Sequence, residues 1–428
     1  MFLRRCAVAL AASTVLCASA APLALADDSP SPTPGASLPE ELYGTADPQY
    51  DGVFRHAHAL LAQDAVGVTP AEAAVSWLTG QQCDDGAFTA YRPDPGQACD
   101  DTTVRDTNAT ALAVQALAAV AGEDDEPVGE AVQWLQSVRN DDGGWGYNPG
   151  GASDANSTAV VMGALLAAGE KPQAATHDAL RGFQLGCEAP EEERGAFAYQ
   201  PGEDGKLAPN ALATAAAALA AQESGLAVAA DSAGDAAPEL PACTDGDAFA
   251  REDAAQAGAA YLHTQLAAHD GHLMSALPGA EDQPDYGTTT LAVLTLAGGG
   301  YDVEQPLAWL AEHHTEWPGV QESPAALAQL VLAVRAAGGD PTAFGGTDLV
   351  AQLAATGPAP QEGEPQEQEK EGAGDGSEDG FDAALWIGVA AAIGGALFAT
   401  GVFARRKNSG SGDTADSANP ASGTGSDH

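Results

Sequence analysis

Between two long apolar runs near its ends, the chain repeats one arrangement of apolar and polar positions. Ala74-Val75-Ser76-Trp77-Leu78 aligns with Ala131-Val132-Gln133-Trp134-Leu135, Ala179-Leu180-Arg181-Gly182-Phe183, Ala259-Ala260-Tyr261-Leu262 and Leu307-Ala308-Trp309-Leu310. The repeating unit is about 48 residues, a period that signals a repeat architecture. Each unit predicts a helix carrying an aromatic or Leu pair, then a loop in which Gly precedes an aromatic, then a second, Ala-rich helix that stops at Gly. The loops read Asp85-Gly86-Ala87-Phe88, Asp142-Gly143-Gly144-Trp145-Gly146-Tyr147, Arg194-Gly195-Ala196-Phe197-Ala198-Tyr199 and Asp270-Gly271-His272-Leu273, and the last copy is reduced to Glu316-Trp317-Pro318-Gly319. Second helices open at Asp106, Asp154 and Asn210, whose side chains can cap free backbone amides, and end near Gly122, Gly169 and Gly298. Extra length falls in the Cys83 to Cys99 loop and in an Ala/Gly/Asp/Pro-rich insertion from Glu223 to Ala248.

The ends of the repeat region decide its topology. Val53 to Ala65 reads as a second helix without a partner, and Thr347 to Ala355 as a first helix without one. Together they make a sixth pair. Helices whose chain ends complete one another suit a closed ring, because each pair then has a neighbour on both sides. The expected fold is therefore all-α: an (α/α)6 toroid of about twelve helices over residues 51–356, with the Ala-rich second helices inside and the Trp-bearing first helices outside.

The flanking segments predict the chain's address. Arg4 and Arg5, an apolar stretch from Ala7 to Leu25, and Ala24-Leu25-Ala26 before Asp27 form the pattern of a cleaved signal peptide over 1–26. A flexible segment follows over 27–50. Residues 357–382 read as an acidic, Pro/Gln/Gly-rich stalk. The uncharged run Ala383 to Ala404 is long enough to span about 30 Å of hydrocarbon. Acidic residues precede it and Arg405, Arg406 and Lys407 follow it, which puts the tail 405–428 in the cytoplasm and the repeat domain outside the cell membrane.

Charge and cysteine content narrow the partners. With 61 acidic and 16 basic residues, the formal net charge is −45. Such an excess repels phosphate backbones, so no nucleic-acid partner is expected. Of the 6 cysteines, Cys6 and Cys17 lie in the signal peptide; Cys83, Cys99, Cys187 and Cys243 remain for an oxidising compartment, where an even number reads as disulfides. Three pairings are open. The preferred one, Cys83 with Cys99 and Cys187 with Cys243, brackets one loop per bridge, with an expected stabilisation of roughly 3 and 4 kcal/mol. The four cysteines form no CxxC and have no clustered His beside them, so no metal site is expected.

The Gly-aromatic loop after a Trp-Leu helix, followed by an Asx-capped Ala-rich helix, resembles the terpenoid cyclase and protein prenyltransferase superfamily with its prenyltransferase/squalene oxidase repeats. The resemblance covers nearly the whole of 51–356 and implies the toroid. Class II cyclases of that superfamily carry Asp-x-Asp-Asp-Thr-Ala at an inner-helix start, the middle Asp being the proton donor. Here the corresponding stretches are Asp106-Thr107-Asn108-Ala109-Thr110-Ala111 and Asp154-Ala155-Asn156-Ser157-Thr158-Ala159. An amide cannot deliver that proton, so the resemblance implies a toroid without the cyclase acid. Asp100-Asp101-Thr102-Thr103 is the nearest remaining match and lies in the first disulfide loop. The zinc ligands of the prenyltransferases are likewise not recognisable, and no cofactor is expected.

These readings leave two function classes. One is a non-catalytic extracellular recognition module binding a small apolar or flat ligand, or a partner protein such as an uptake component, at the barrel mouth; a corrinoid is suggested by the related toroid of the transcobalamins. The other is an enzyme, either a cyclase or prenyltransferase type or a glycoside hydrolase using a carboxylate pair such as Asp106 and Asp154. In both cases the loops before the inner helices are expected to bring Tyr91, Asp106, Asn108, Trp145, Tyr147, Asp154, Asn156, Tyr199, His272 and Tyr286 to one mouth.

Overall fold

Alternating Asx caps and glycine stops cut the repeat region into helices whose faces differ in kind. The computed structural model describes residues 38–361, except residue 245 and residues 278–282. The signal peptide, the transmembrane run and the cytoplasmic tail expected above lie outside the described residues, as does nearly all of the stalk. Within them there are thirteen α-helices, isolated bridges but no β-strand, and no helix long and apolar enough to cross a membrane.

Six helices are buried on almost every face: α1 (Gly52–Ala65), α3 (Thr107–Val120), α5 (Ala155–Ala167), α7 (Ala211–Ala221), α9 (Tyr286–Gly298) and α12 (Pro324–Ala336). They pack in the order α1, α3, α5, α7, α9, α12, and α12 returns to α1, so the ring closes. Alanines at the contacts, such as Ala111, Ala113 and Ala116 on α3 and Ala213, Ala217 and Ala220 on α7, are almost wholly buried. Short side chains there let neighbouring axes approach toward the lower end of the usual ~8–10 Å.

The others lie outside this ring: α2 (Glu72–Gly80), α4 (Glu126–Ser137), α6 (Ala174–Arg181), α8 (Ala254–Ala268), α10 (Glu304–His313) and α13 (Leu349–Ala354). Of these, α2, α4, α6 and α8 each straddle two inner neighbours, while α10 rests on α9 and α13 on α12. The short α11 (Pro318–Glu322), at the reduced fifth loop, was not foreseen; it occupies the place of a Gly-aromatic loop and leads directly into α12. Both disulfides join the preferred partners, Cys83 to Cys99 and Cys187 to Cys243. Between the first pair, the Arg92 guanidinium donates to the carbonyls of Gly80, Gln82, Pro95 and Gln97 and so organises the loop without an acidic partner.

The repeated loop has a repeated set of bonds. Backbone N–H groups of Phe88, Trp145, Phe197 and Leu273 donate to the hydroxyls of Thr110, Thr158, Thr214 and Thr289, one turn into the next inner helix. The same loop residues accept from the N–H of the cap residues Asp106, Asp154, Asn210 and Asp285. A third bond ties one repeat to the next: Thr107 N–H donates to the Tyr147 carbonyl, and Ala155 N–H to that of Tyr199. The loop glycine is required by space as well as by conformation. Gly143 has φ +94°, and a Cβ there would stand 2.6 Å from the Ala175 carbonyl oxygen on α6. Gly86 and Gly195 press in the same way on α4 and α8.

Gly143→Ala therefore combines an unfavourable φ, worth about 1–3 kcal/mol, with a backbone collision. Gly150→Ala, at φ +78° with nothing within 4 Å of its Cβ, carries the first cost alone. Urea unfolding of the two variants is expected to place Gly143→Ala clearly below Gly150→Ala; equal midpoints would mean that the loop does not press on α6.

Candidate functional site

All six inner helices begin at one rim and each turns one stripe to the ring axis; on α3, α5 and α7 that stripe starts two positions past the cap, at Asn108, Asn156 and Leu212. They enclose a cavity of about 270 Å³. Phe54 and His58 of α1, Asn108, Leu112 and Gln115 of α3, and Asn156, Val160 and Gly163 of α5 supply one side. Leu212, Ala216 and Leu219 of α7, Leu291 and Leu294 of α9, and Gln329 and Leu332 of α12 supply the other. The walls differ: α7 and α9 offer mostly hydrocarbon, whereas α12, α1, α3 and α5 carry the carboxamides and the imidazole.

The far end is shut by the insertion that the sequence marks only as extra length. Its first residues, Ser224 to Leu226, form the cavity floor. Leu226 N–H donates to the Gln115 side-chain oxygen at 2.9 Å, and Gly225 lies against Gly163, where a Cβ would meet the Gly225 Cα at 3.1 Å. The strand of chain then crosses to α12, where Arg335 donates to the Val228 carbonyl at 2.8 Å, and on to the loop after α9 through Gly234 and Ala236. The Cys187–Cys243 bridge fastens its far end. We call this segment the strap.

No carboxylate, lysine or arginine is among the lining residues. His58 Nδ1–H donates to the Phe54 carbonyl at 2.9 Å, which leaves Nε2 as an acceptor; the Gln329 amide lies 3.3 Å from it. Burial lowers the His58 pKa to about 4, so the ring is neutral at ordinary pH. Asn108 and Asn156 occupy the same position on adjacent helices, at the collar of the cavity. The Oδ1 of each is sealed from solvent and has no hydrogen-bond partner among the described residues.

Of the residues expected at the mouth, Asn108 and Asn156 line the cavity; the others do not. Asp106 and Asp154 are buried helix caps, accepting from Ala109 N–H at 2.8 Å and Ser157 N–H at 2.7 Å. Burial raises both carboxyls despite those bonds. Because caps point along the helix start and not at the axis, this pair does not face across the cavity. Tyr147 and Tyr199 stand on the rim beside these two caps, each nearly half exposed, and burial together with Asp106 pushes the Tyr147 phenol up to about 12. Trp145 is a wedge, 1% exposed, its indole N–H donating to the Leu135 carbonyl. Tyr91 covers Gly52 and lies beside Trp77. His272 and Tyr286 both pack on Trp309, and Tyr286 also stacks on Trp317, outside the cavity. Asp100 is an exposed turn residue whose carboxylate accepts from Thr102 and Thr103, which holds it below the usual carboxylate range.

Phe54, His58, Gln115 and Gln329 were not expected in the site. Their signal is a stripe of every third or fourth position down each inner helix, which starts at a different offset on α1 and α12 than on α3 and α5; loop aromatics are more conspicuous but face elsewhere.

No family model and no curated protein matches the chain. Among solved structures it is similar to a protein from Actinoplanes, with 15% identity over 70% of this chain and 94% of the other, and a TM-score of 0.45. It is also similar to a sugar epimerase from a ruminal bacterium (12% identity, 70% and 92% covered, TM-score 0.43), and to the type II terpene cyclase MstE from Scytonema (14%, 64% and 74%, 0.40).

Two outcomes follow from the caps and the histidines. Asp106→Asn keeps an effective cap while removing a buried charge, so at neutral pH it is expected to be at least as stable as the parent, whereas Asp106→Ala loses about 1 kcal/mol; a reversed order in chemical denaturation would refute the cap assignment. His56 and His58, with pKa values lowered by burial to about 3 and about 4, bind fewer protons folded than unfolded. Their stabilisation is complete above about pH 6.5 and is lost as the pH falls through the window below it. His58→Gln should flatten the stability slope there by up to about 1.4 kcal/mol per pH unit, measured by urea titration at successive pH values.

Proposed function

We propose that this protein is a ligand-binding module, exported by the 1–26 leader and held at the outer face of the cell membrane by the 383–404 run, and that it takes up a small, mostly apolar, uncharged molecule in the cavity at the ring axis. The observation that carries this reading is the cavity itself, with contributions from all six inner helices and a lining free of charged side chains. Its ~270 Å³ lies just below the usual ~300–1,000 Å³ of ligand sites, so the occupant is small. A ligand with a formal charge would lose its hydration and meet no counter-charge, at a cost of several kcal/mol. The formal net charge of −45 opposes anions further.

Two more features support recognition over acid–base chemistry. The carboxylates nearest the inner-helix starts, Asp106 and Asp154, are committed to capping. The candidate proton-transfer position of the cyclase-like motif holds amides, Asn108 and Asn156. A corrinoid, expected above across the barrel mouth, is a different occupant from the small molecule proposed for the axial cavity. Export is supported by the two disulfides, which persist in oxidising compartments.

Native mass spectrometry of the full chain purified from its own host is expected to reveal a neutral small molecule carried with it. Ala216→Phe, which fills the cavity from the α7 wall, is expected to lose that molecule while retaining thermal stability within a few degrees. Retention of the same molecule by the folded variant would place binding elsewhere and end this reading.

A further inference from the structure

The two collar asparagines have a consequence for ligand chemistry that rests on the cavity-binding reading. Asn108 and Asn156 sit at the same position of α3 and α5, which are neighbours in the ring. Both line the cavity. Both carry a carbonyl oxygen closed off from solvent and without a partner among the described residues, whereas neither amide nitrogen is among the groups sealed without a partner, and neither donates to another described residue. The nitrogen is thus the end of each amide open to the hollow, which leaves an amide donor on each of two neighbouring helices at the collar. Elsewhere in the lining Gln115 holds the strap through Leu226, Thr290 donates to the Tyr286 carbonyl, and the Gln329 amide nitrogen lies against His58. The opposite wall of α7 and α9 is mostly hydrocarbon.

We propose that Asn108 and Asn156 form a two-amide clasp for a carbonyl-type oxygen on an otherwise apolar ligand, so that the ligand class is a neutral ketone, ester, lactone or amide seated with its oxygen at the collar and its hydrocarbon against α7 and α9. A hydrocarbon lacking the oxygen leaves both amides dry and unpaired when it fills the cavity. A carboxylate could accept the same bonds but would bring a charge into a lining with no cation, and an ammonium group would meet donors where it needs acceptors.

The test uses cage compounds of one shape: adamantane, adamantanone, adamantane carboxylate and adamantyl ammonium. They are titrated calorimetrically into the full-length chain in nanodiscs, against empty-nanodisc blanks. Two added hydrogen bonds predict that the ketone binds roughly 10–100-fold more tightly than the hydrocarbon, and that both ions bind more weakly than the ketone. Asn108→Leu and Asn156→Leu are each expected to pull the ketone-to-hydrocarbon ratio toward one while leaving hydrocarbon affinity within about threefold. Asn→Ser at the same positions, smaller and still a donor, should retain part of the ratio and guards against a variant that fails to fold. Equal affinity of the unmodified protein for ketone and hydrocarbon would overturn the clasp and leave the cavity reading standing. Failure of every compound to bind, with none displacing the molecule that copurifies, would overturn the cavity reading and the clasp together.

Discussion

The first amides of an α-helix have no partner within the helix, and in this ring six such helix starts crowd round one opening with little water to serve them. Most of the structure's regularity answers that constraint. A cap carboxylate or amide takes one N–H, the loop aromatic's carbonyl takes the cap's own N–H, and the tyrosine carbonyl of the following repeat takes another. The threonine one turn further in both donates to its own helix and accepts from the loop. Because the third bond runs between repeats, satisfying one helix fixes the position of the next. Through the capped repeats the ring is thus specified locally, copy by copy; at the seam between α1 and α12 the ties differ, with Gln329 against His58 and Gly44 N–H donating to the Thr356 carbonyl.

The fold was legible because that device is written in short, recurrent motifs. Asp-x-Asn-x-Thr at Asp106 and at Asp154, and Gly before the aromatic, can be seen in one sequence without knowing the contacts they make. The pairing of orphan helices at the two ends was legible for the same reason: α1 has the second-helix pattern and α13 lies where a first helix is missing. The disulfides followed from which loops contain the cysteines.

The site was legible only in part, and the physical reason is direction. A cap residue and the residue two places on differ by a large rotation about the helix, so Asp106 turns back to its own amides while Asn108 turns to the axis. Loop aromatics such as Trp145 look like a ligand platform in sequence, yet their bulk is what fills the wedge between repeats. The deeper lining, from His58 to Leu332, is ordinary helix composition; it becomes a surface only once six helices stand round a common axis. The strap has no periodicity or motif at all, since its role depends on where it crosses and not on how it folds.

The strap also determines how anything inside must travel. Tied at Gln115, at Arg335 and by a covalent bridge, it turns what would be an open tube into a blind well. Among the described residues, entry and departure then share the rim where the inner helices begin. Any guest would have to back out along its own path, past the same collar that admitted it, so residence time would answer to the grip at the rim more than to the greasy depth beneath.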